Sequence, residues 1–158
     1  MGNNLIAFSR FLISAWIGGA VLFVITGVQE ITNKDLSSDI RDVLALIRFP
    51  TYYLFGFVLV SACFMMTIRV SKHYEVSRIR LKCFQILLFV SLLVMAGDYF
   101  LVYSPLRQMI IESKGGARPE NFQIYHKISM YVNAAHLSLS TVAAILICWP
   151  RKLPEKWY

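Results

Sequence analysis

The chain has 158 residues, of which 57% are hydrophobic and 16% charged, against about 25% charged in an average soluble domain, and its mean hydropathy is +0.57. The formal net charge of +7 does not indicate a nucleic-acid partner, because the basic residues flank apolar runs instead of lining a groove. The composition excludes an ordinary soluble domain and predicts an all-α integral membrane protein whose first partner is the lipid bilayer.

A bilayer core needs roughly 20 apolar residues per helix. Uncharged stretches lie between Arg10 and Glu30, Arg48 and Arg69, Lys82 and Asp98 (resuming to Ser104), and Lys127 and Arg151. They predict four spans near 5–28, 49–69, 83–104 and 125–149, forming one domain, a four-helix bundle. The first span is read as an anchor, since one basic residue precedes it and "VITGVQE" is a poor cleavage site. The start "MGNNLI" has Ile6 where myristoylation needs Ser or Thr. Within this span "SAWIGGA" holds two small-xxx-small pairs, Ser14–Gly18 and Ala15–Gly19. They suit close helix packing, or the approach of a flat cofactor. Trp16 has an indole N–H to offer a histidine, and Arg10 reads as a snorkelling anchor.

Next comes "DLSSDIRDVLALIR", where Leu36, Ile40, Val43, Leu44 and Ile47 recur at helical spacing opposite charges. This predicts a short amphipathic helix lying on the outer surface. Pro50 suits the first turn of span two, and Tyr52 and Tyr53 suit the headgroup belt. Span three contains Asp98, the only acid inside a span. After Pro105, "LRQMIIESKGG" allows a second short outer helix closed by Gly115, and Pro119 can begin a long fourth helix. The three cysteines, Cys63, Cys83 and Cys148, lack CxxC spacing and fall toward one side, so they read as packing residues and not as a disulfide framework.

The loop with Arg69, Lys72, Arg78, Arg80 and Lys82 and the tail with Arg151, Lys152 and Lys156 share one side. The positive-inside rule puts that side, and both termini, in the cytoplasm; in a bacterium the membrane would be the inner one. His73 in that loop reads as a solvated surface residue.

Span four carries His126, Ser129, Asn133, His136 and Ser140 at alternating spacings of three and four. That is a heptad seam on one face, and lipid cannot satisfy it, so it must face the bundle interior. The two histidines lie ~15 Å apart along the axis and cannot share one metal or haem. Asp98 lies ~9 Å below the outer end of span three, level with Ser129 and Asn133 at ~6 and ~12 Å, so His126 and Asn133 are its candidate partners. Tyr99 and Tyr103 add hydroxyls nearby. The seam is read either as interhelical glue or as a site, with His136 nearest the midplane.

Four segments, "SAWIGGAVLF", "RFPTYY", "YFLVYSPLR" and "FQIYHKISMYVN", occur in this order along nearly the whole chain. Together the chain resembles the four-span family of unknown function that includes transmembrane protein 205. The resemblance implies that Trp16, Gly18, Gly19, Pro50, Pro105, His126, Ser129 and Asn133 are the family-pattern residues; His136 is not among them. The W-I-G-G segment is more distantly similar to copper-resistance membrane domains and to a haem-pathway protoporphyrinogen oxidase, in which a histidine precedes the Trp by about two turns. Here that region reads "AFSRFLIS" without one.

Three readings of function remain open. No nucleophile–base set and no nucleotide loop are present, which suits a non-enzymatic accessory subunit or transport helper, assembled with other membrane subunits or with itself. Alternatively, the chain binds haem b or another porphyrin or metal through His136 or His126, with Met95, a tyrosine, water or an open site completing the ligation. As a third reading, Asp98, His126 and Asn133 form the polar site of a proton- or solute-coupled carrier.

Overall fold

The protein's structure, a computed structural model, describes residues 2–70, 76–113 and 117–149. Five α-helices follow one another: α1 (Gly2–Thr32), α2 (Ser38–Ile68), α3 (Arg78–Gly97), α4 (Ser104–Ser113) and α5 (Phe122–Cys148). A π-helical segment, Asp98–Tyr103, joins α3 to α4, so that Arg78–Ser113 runs as one rod. Four rods are long and apolar enough to cross a membrane. Each packs on two neighbours, α1 and α3 both on α2 and α5, which gives an up-down four-helix bundle. His73, Gly115 and the basic tail from Arg151 lie outside the described residues.

The start of α1 and the end of α5 lie at the same end of the bundle. Arg10 donates from Nε to the Ile147 carbonyl at 2.9 Å, and Arg80 donates to the carbonyls of Leu146, at 3.0 Å from Nε, and Trp149. The last carbonyls of a helix have no intrahelical donor and carry the negative end of its dipole, so cations there satisfy both needs. These two arginines therefore close α5 as well as contributing to the basic end. Cys63, Cys83 and Cys148 are all free thiols. Cys63 is buried and donates to Ser9 O at 3.4 Å, whereas Cys83 and Cys148 are exposed and do not pack inside the chain.

The opposite end of the bundle departs from the sequence expectation. There is no separate amphipathic helix before span two: α2 begins at Ser38 and passes through Pro50 without ending. Ser37 caps it, its hydroxyl accepting from Ile40 N at 3.4 Å, and this cap sets the start that Pro50 was expected to set. The missing Pro50 N–H costs a single ladder bond, which a packed membrane helix tolerates. The amphipathic stretch is thus the first turns of α2, held to its surroundings by Arg48, which pairs with Glu30 and donates to Phe23 O at 3.0 Å. The helix after Pro105 is present as α4 but is continuous with span three. Pro105 cannot donate to the Leu101 carbonyl and its ring crowds that group; the wider π turn immediately before it relieves the crowding. The last rod starts at Phe122 instead of Pro119, whose carbonyl accepts from Phe122 N at 3.0 Å.

The core is centred on Trp16, which is fully buried. Gly56 makes its close fit with α2 and α3 feasible. A Cβ at Gly56 would lie 2.7 Å from Trp16 Cη2 and 2.9 Å from Met95 Sδ. Gly56→Ala should therefore destabilise the bundle by about 1–3 kcal/mol through overpacking against a rigid indole, measurable as a lowered midpoint of thermal unfolding in detergent. Gly19 is less constrained: its Cβ would meet only the ring of Phe55, at 2.7 Å, and that side chain is 43% exposed and free to turn. Ser14 and Gly18, expected to pack helices, do not: both are exposed on the outward face of α1, and nothing lies within 4 Å of a Cβ at Gly18. The Ser14–Gly18 pair faces away from the interior because Trp16 and Ala20 claim the inward face of α1.

Candidate functional site: a polar network across the bundle

The heptad seam on α5 faces inward over most of its length. Ser129, His136 and Ser140 are buried, and with Asn133 they meet residues from each of the other three rods. The centre of the half nearer the start of α5 is Asp98, 1% exposed, at the first position of the π segment. Its Oδ2 accepts from the Tyr53 hydroxyl at 2.5 Å and from Asn133 Nδ2 at 2.8 Å. Asn133 Nδ2 also reaches the Ser129 carbonyl at 3.0 Å and the Ser129 hydroxyl at 3.3 Å. With its amide N–H groups committed to Asp98 and Ser129, Asn133 offers Oδ1 as an acceptor, so the His136 Nε2 3.0 Å away is the donor. The network thereby assigns the tautomer: His136 carries its proton on Nε2. The Tyr52 hydroxyl lies 3.5 Å from the same nitrogen.

A second chain of bonds lies deeper. Trp16 Nε1 donates to Ser140 Oγ at 3.3 Å. Ser91 Oγ donates to the His136 carbonyl at 3.2 Å and lies 3.0 Å from Ser140 Oγ. Because Ser91 spends its proton on the carbonyl, Ser140 donates to Ser91. One directed chain results, Trp16 to Ser140 to Ser91 to the α5 backbone, linking α1, α3 and α5. The indole therefore serves Ser140 and not a histidine. It stacks on the His136 ring instead, with centroids 6.0 Å apart and planes 20° apart.

His126 stands outside the network. It is half-buried and stacks on Phe122 one turn earlier, centroids 6.2 Å and planes 4° apart; the candidate pairing of His126 with Asp98 is not made. Tyr53 takes that role. Tyr52 and Tyr53, expected in the headgroup belt, are both buried in the core, because α2 begins a dozen residues before Pro50 and carries both rings down into the bundle. Ser91 also escaped the sequence reading. Its signal was available: it lies one heptad before Asp98 and so shares that residue's face. Tyr99 and Tyr103 do lie near, their rings 5.2 and 5.3 Å from Tyr53, but the carboxylate accepts from neither. Three buried atoms have no partner among the described residues of this region: Asp98 Oδ1, His136 Nδ1 and the Tyr103 hydroxyl.

The residues do not fit a haem or metal at His136. The imidazole is fully buried, Trp16 covers one face, and Nε2 already donates to Asn133. The remaining lone pair, on Nδ1, is enclosed, so a porphyrin would have to displace the indole. Met95, the suggested second ligand, packs its sulfur against the Gly56 position. Among the described residues no three His, Cys, Asp or Glu side chains come together to hold a metal ion.

The fold and the network define a small polytopic membrane protein whose spans are fastened by an internal polar seam. Compared with known proteins, the chain matches no family model, no curated protein and no solved structure.

Proposed function

We propose that this chain is a non-enzymatic membrane subunit, an accessory or transport-helper component, in which the polar seam acts as an interhelical latch. The observation that carries this reading is that the seam is spent internally. From Asn133 to Ser140 each inward polar side chain of α5 meets a polar group of α2, α3, the π segment or α1, and its deepest members are closed to solvent and lipid. Interhelical hydrogen bonds are a common means of holding membrane helices together. The order and spacing of its four motifs support membership of the four-span family that includes transmembrane protein 205. Its basic end supports termini on the cytoplasmic side.

The test is an absorption spectrum of the detergent-purified chain after expression in haem-replete cells, together with its native mass. A colourless protein, recovered as a defined oligomer or with a second membrane subunit at fixed stoichiometry, is expected. A Soret band that disappears in His136→Ala would overturn the reading in favour of a porphyrin site.

A second reading rests on one atom. Asp98 Oδ1 is buried without a partner, and π segments are frequent at functional sites, which favours a proton-coupled carrier. Asp98→Asn separates the two readings, because an amide oxygen in the Oδ2 position keeps both bonds. Flux lost in a folded Asp98→Asn protein supports the carrier; flux or complex assembly equal to wild type supports the latch.

A further inference from the structure

The outer end of the bundle contains a cleft of about 330 Å³ between the Pro50 turn of α2 and the rod formed by the π segment and α4, lined by Pro50, Tyr99, Tyr103, Ser104 and Arg107. Its polar groups are two phenols, a hydroxyl and a guanidinium, and no carboxylate lines it. Arg107 is exposed and makes no ion pair among the described residues. Tyr103 is 5% exposed. Its ring is fixed by Phe49, stacked at 5.5 Å, and by Tyr53 and Tyr99 at 5.3 and 5.6 Å, yet its hydroxyl has no partner. A buried hydroxyl without a partner costs free energy unless something satisfies it. Tyr103 and Arg107 are four residues apart on one rod, so both serve the same face.

An aromatic-walled cleft can in principle take a cation, but the unpaired guanidinium at this one repels cations and selects an anion. Arg presents a planar fork that matches phosphate oxygens two at a time.

We propose that this cleft is a phosphate-recognition site at the outer interface, with Arg107 as the charged donor and the Tyr99, Tyr103 and Ser104 hydroxyls completing the set. The shared chemistry is a phosphate group, from a lipid headgroup or free in solution. The site is independent of the latch, since Asp98 and Asn133 are not among its residues.

The test uses the full chain in a neutral detergent with two probes: phosphatidylglycerol, followed by native mass spectrometry, and inorganic phosphate, followed by calorimetry. The expected result is saturable binding of at least one probe, weakened about tenfold or more in Arg107→Gln and severalfold in Tyr103→Phe. Neither variant should lower the unfolding midpoint, because neither group has a hydrogen-bond or ion-pair partner among the described residues. Retention of phosphatidylglycerol alone identifies a lipid headgroup; equal response to inorganic phosphate identifies a free phosphate. Absence of saturable binding of either probe, or binding unchanged in both variants, overturns the proposal.

Discussion

Asp98→Ala should be among the most damaging single substitutions in the chain, lowering stability in detergent by about 2–4 kcal/mol. Two donors converge on one carboxylate oxygen, the Tyr53 hydroxyl at 2.5 Å and Asn133 Nδ2 at 2.8 Å. Alanine removes that acceptor from a place water does not reach. Asn133 still has Ser129 as an alternative, while the Tyr53 hydroxyl, on a ring 1% exposed, loses its 2.5 Å acceptor. Asp98→Asn should behave differently. Its amide oxygen accepts both bonds, and its N–H groups take the position of Oδ1, which has no partner to lose. The expected order of unfolding midpoints is therefore wild type close to Asp98→Asn and both well above Asp98→Ala. Equal destabilisation by the two substitutions would mean that the charge, and not the accepted hydrogen bonds, holds the helices.

Trp16→Ala is expected to cost about 3–5 kcal/mol, the range for truncating a large buried aromatic side chain. The indole packs against two other rods and closes on the space it shares with the third: it lies 5.1 Å from the Tyr52 ring, stacks on His136, and together with Met95 Sδ crowds the Gly56 position. Its N–H also begins the chain of bonds through Ser140 and Ser91. Trp16→Phe separates the contributions. It refills much of the cavity but leaves Ser140 without its donor, so thermal unfolding should place it between wild type and Trp16→Ala. A Trp16→Phe midpoint equal to that of Trp16→Ala would assign the whole effect to the indole N–H and contradict the packing role.

Much of this arrangement was legible in the sequence, and the reasons are physical. Four uncharged runs of bilayer length define four rods almost without reference to side-chain detail. Polar residues at spacings of three and four must share a face, and the constant helical rise places Asp98 level with Asn133. Those two statements need one helix or one pair of helices at a time. The parts that were not legible need three. Tyr53 looked like a headgroup residue because Pro50 looked like a helix start. Only the longer α2, capped at Ser37, places it opposite Asp98. Gly56 is one glycine among eight, and its importance appears only when Trp16 and Met95 approach it from two sides. The outward turn of Ser14 and Gly18 follows from which face of α1 Trp16 occupies, which spacing alone leaves open. His126 continues the seam in spacing but sits near the end of the rod, where Phe122 covers it and α2 supplies the donor to Asp98 in its place.

The central claim is that the seam is a latch made of specific interhelical bonds. A double-mutant cycle between Tyr53→Phe and Asp98→Ala, read as free energies of unfolding in detergent, measures the bond at its centre. The account predicts a favourable coupling of about 1 kcal/mol, within the range found for hydrogen bonds between membrane helices. Strictly additive effects, with no coupling between the hydroxyl and the carboxylate, would contradict it.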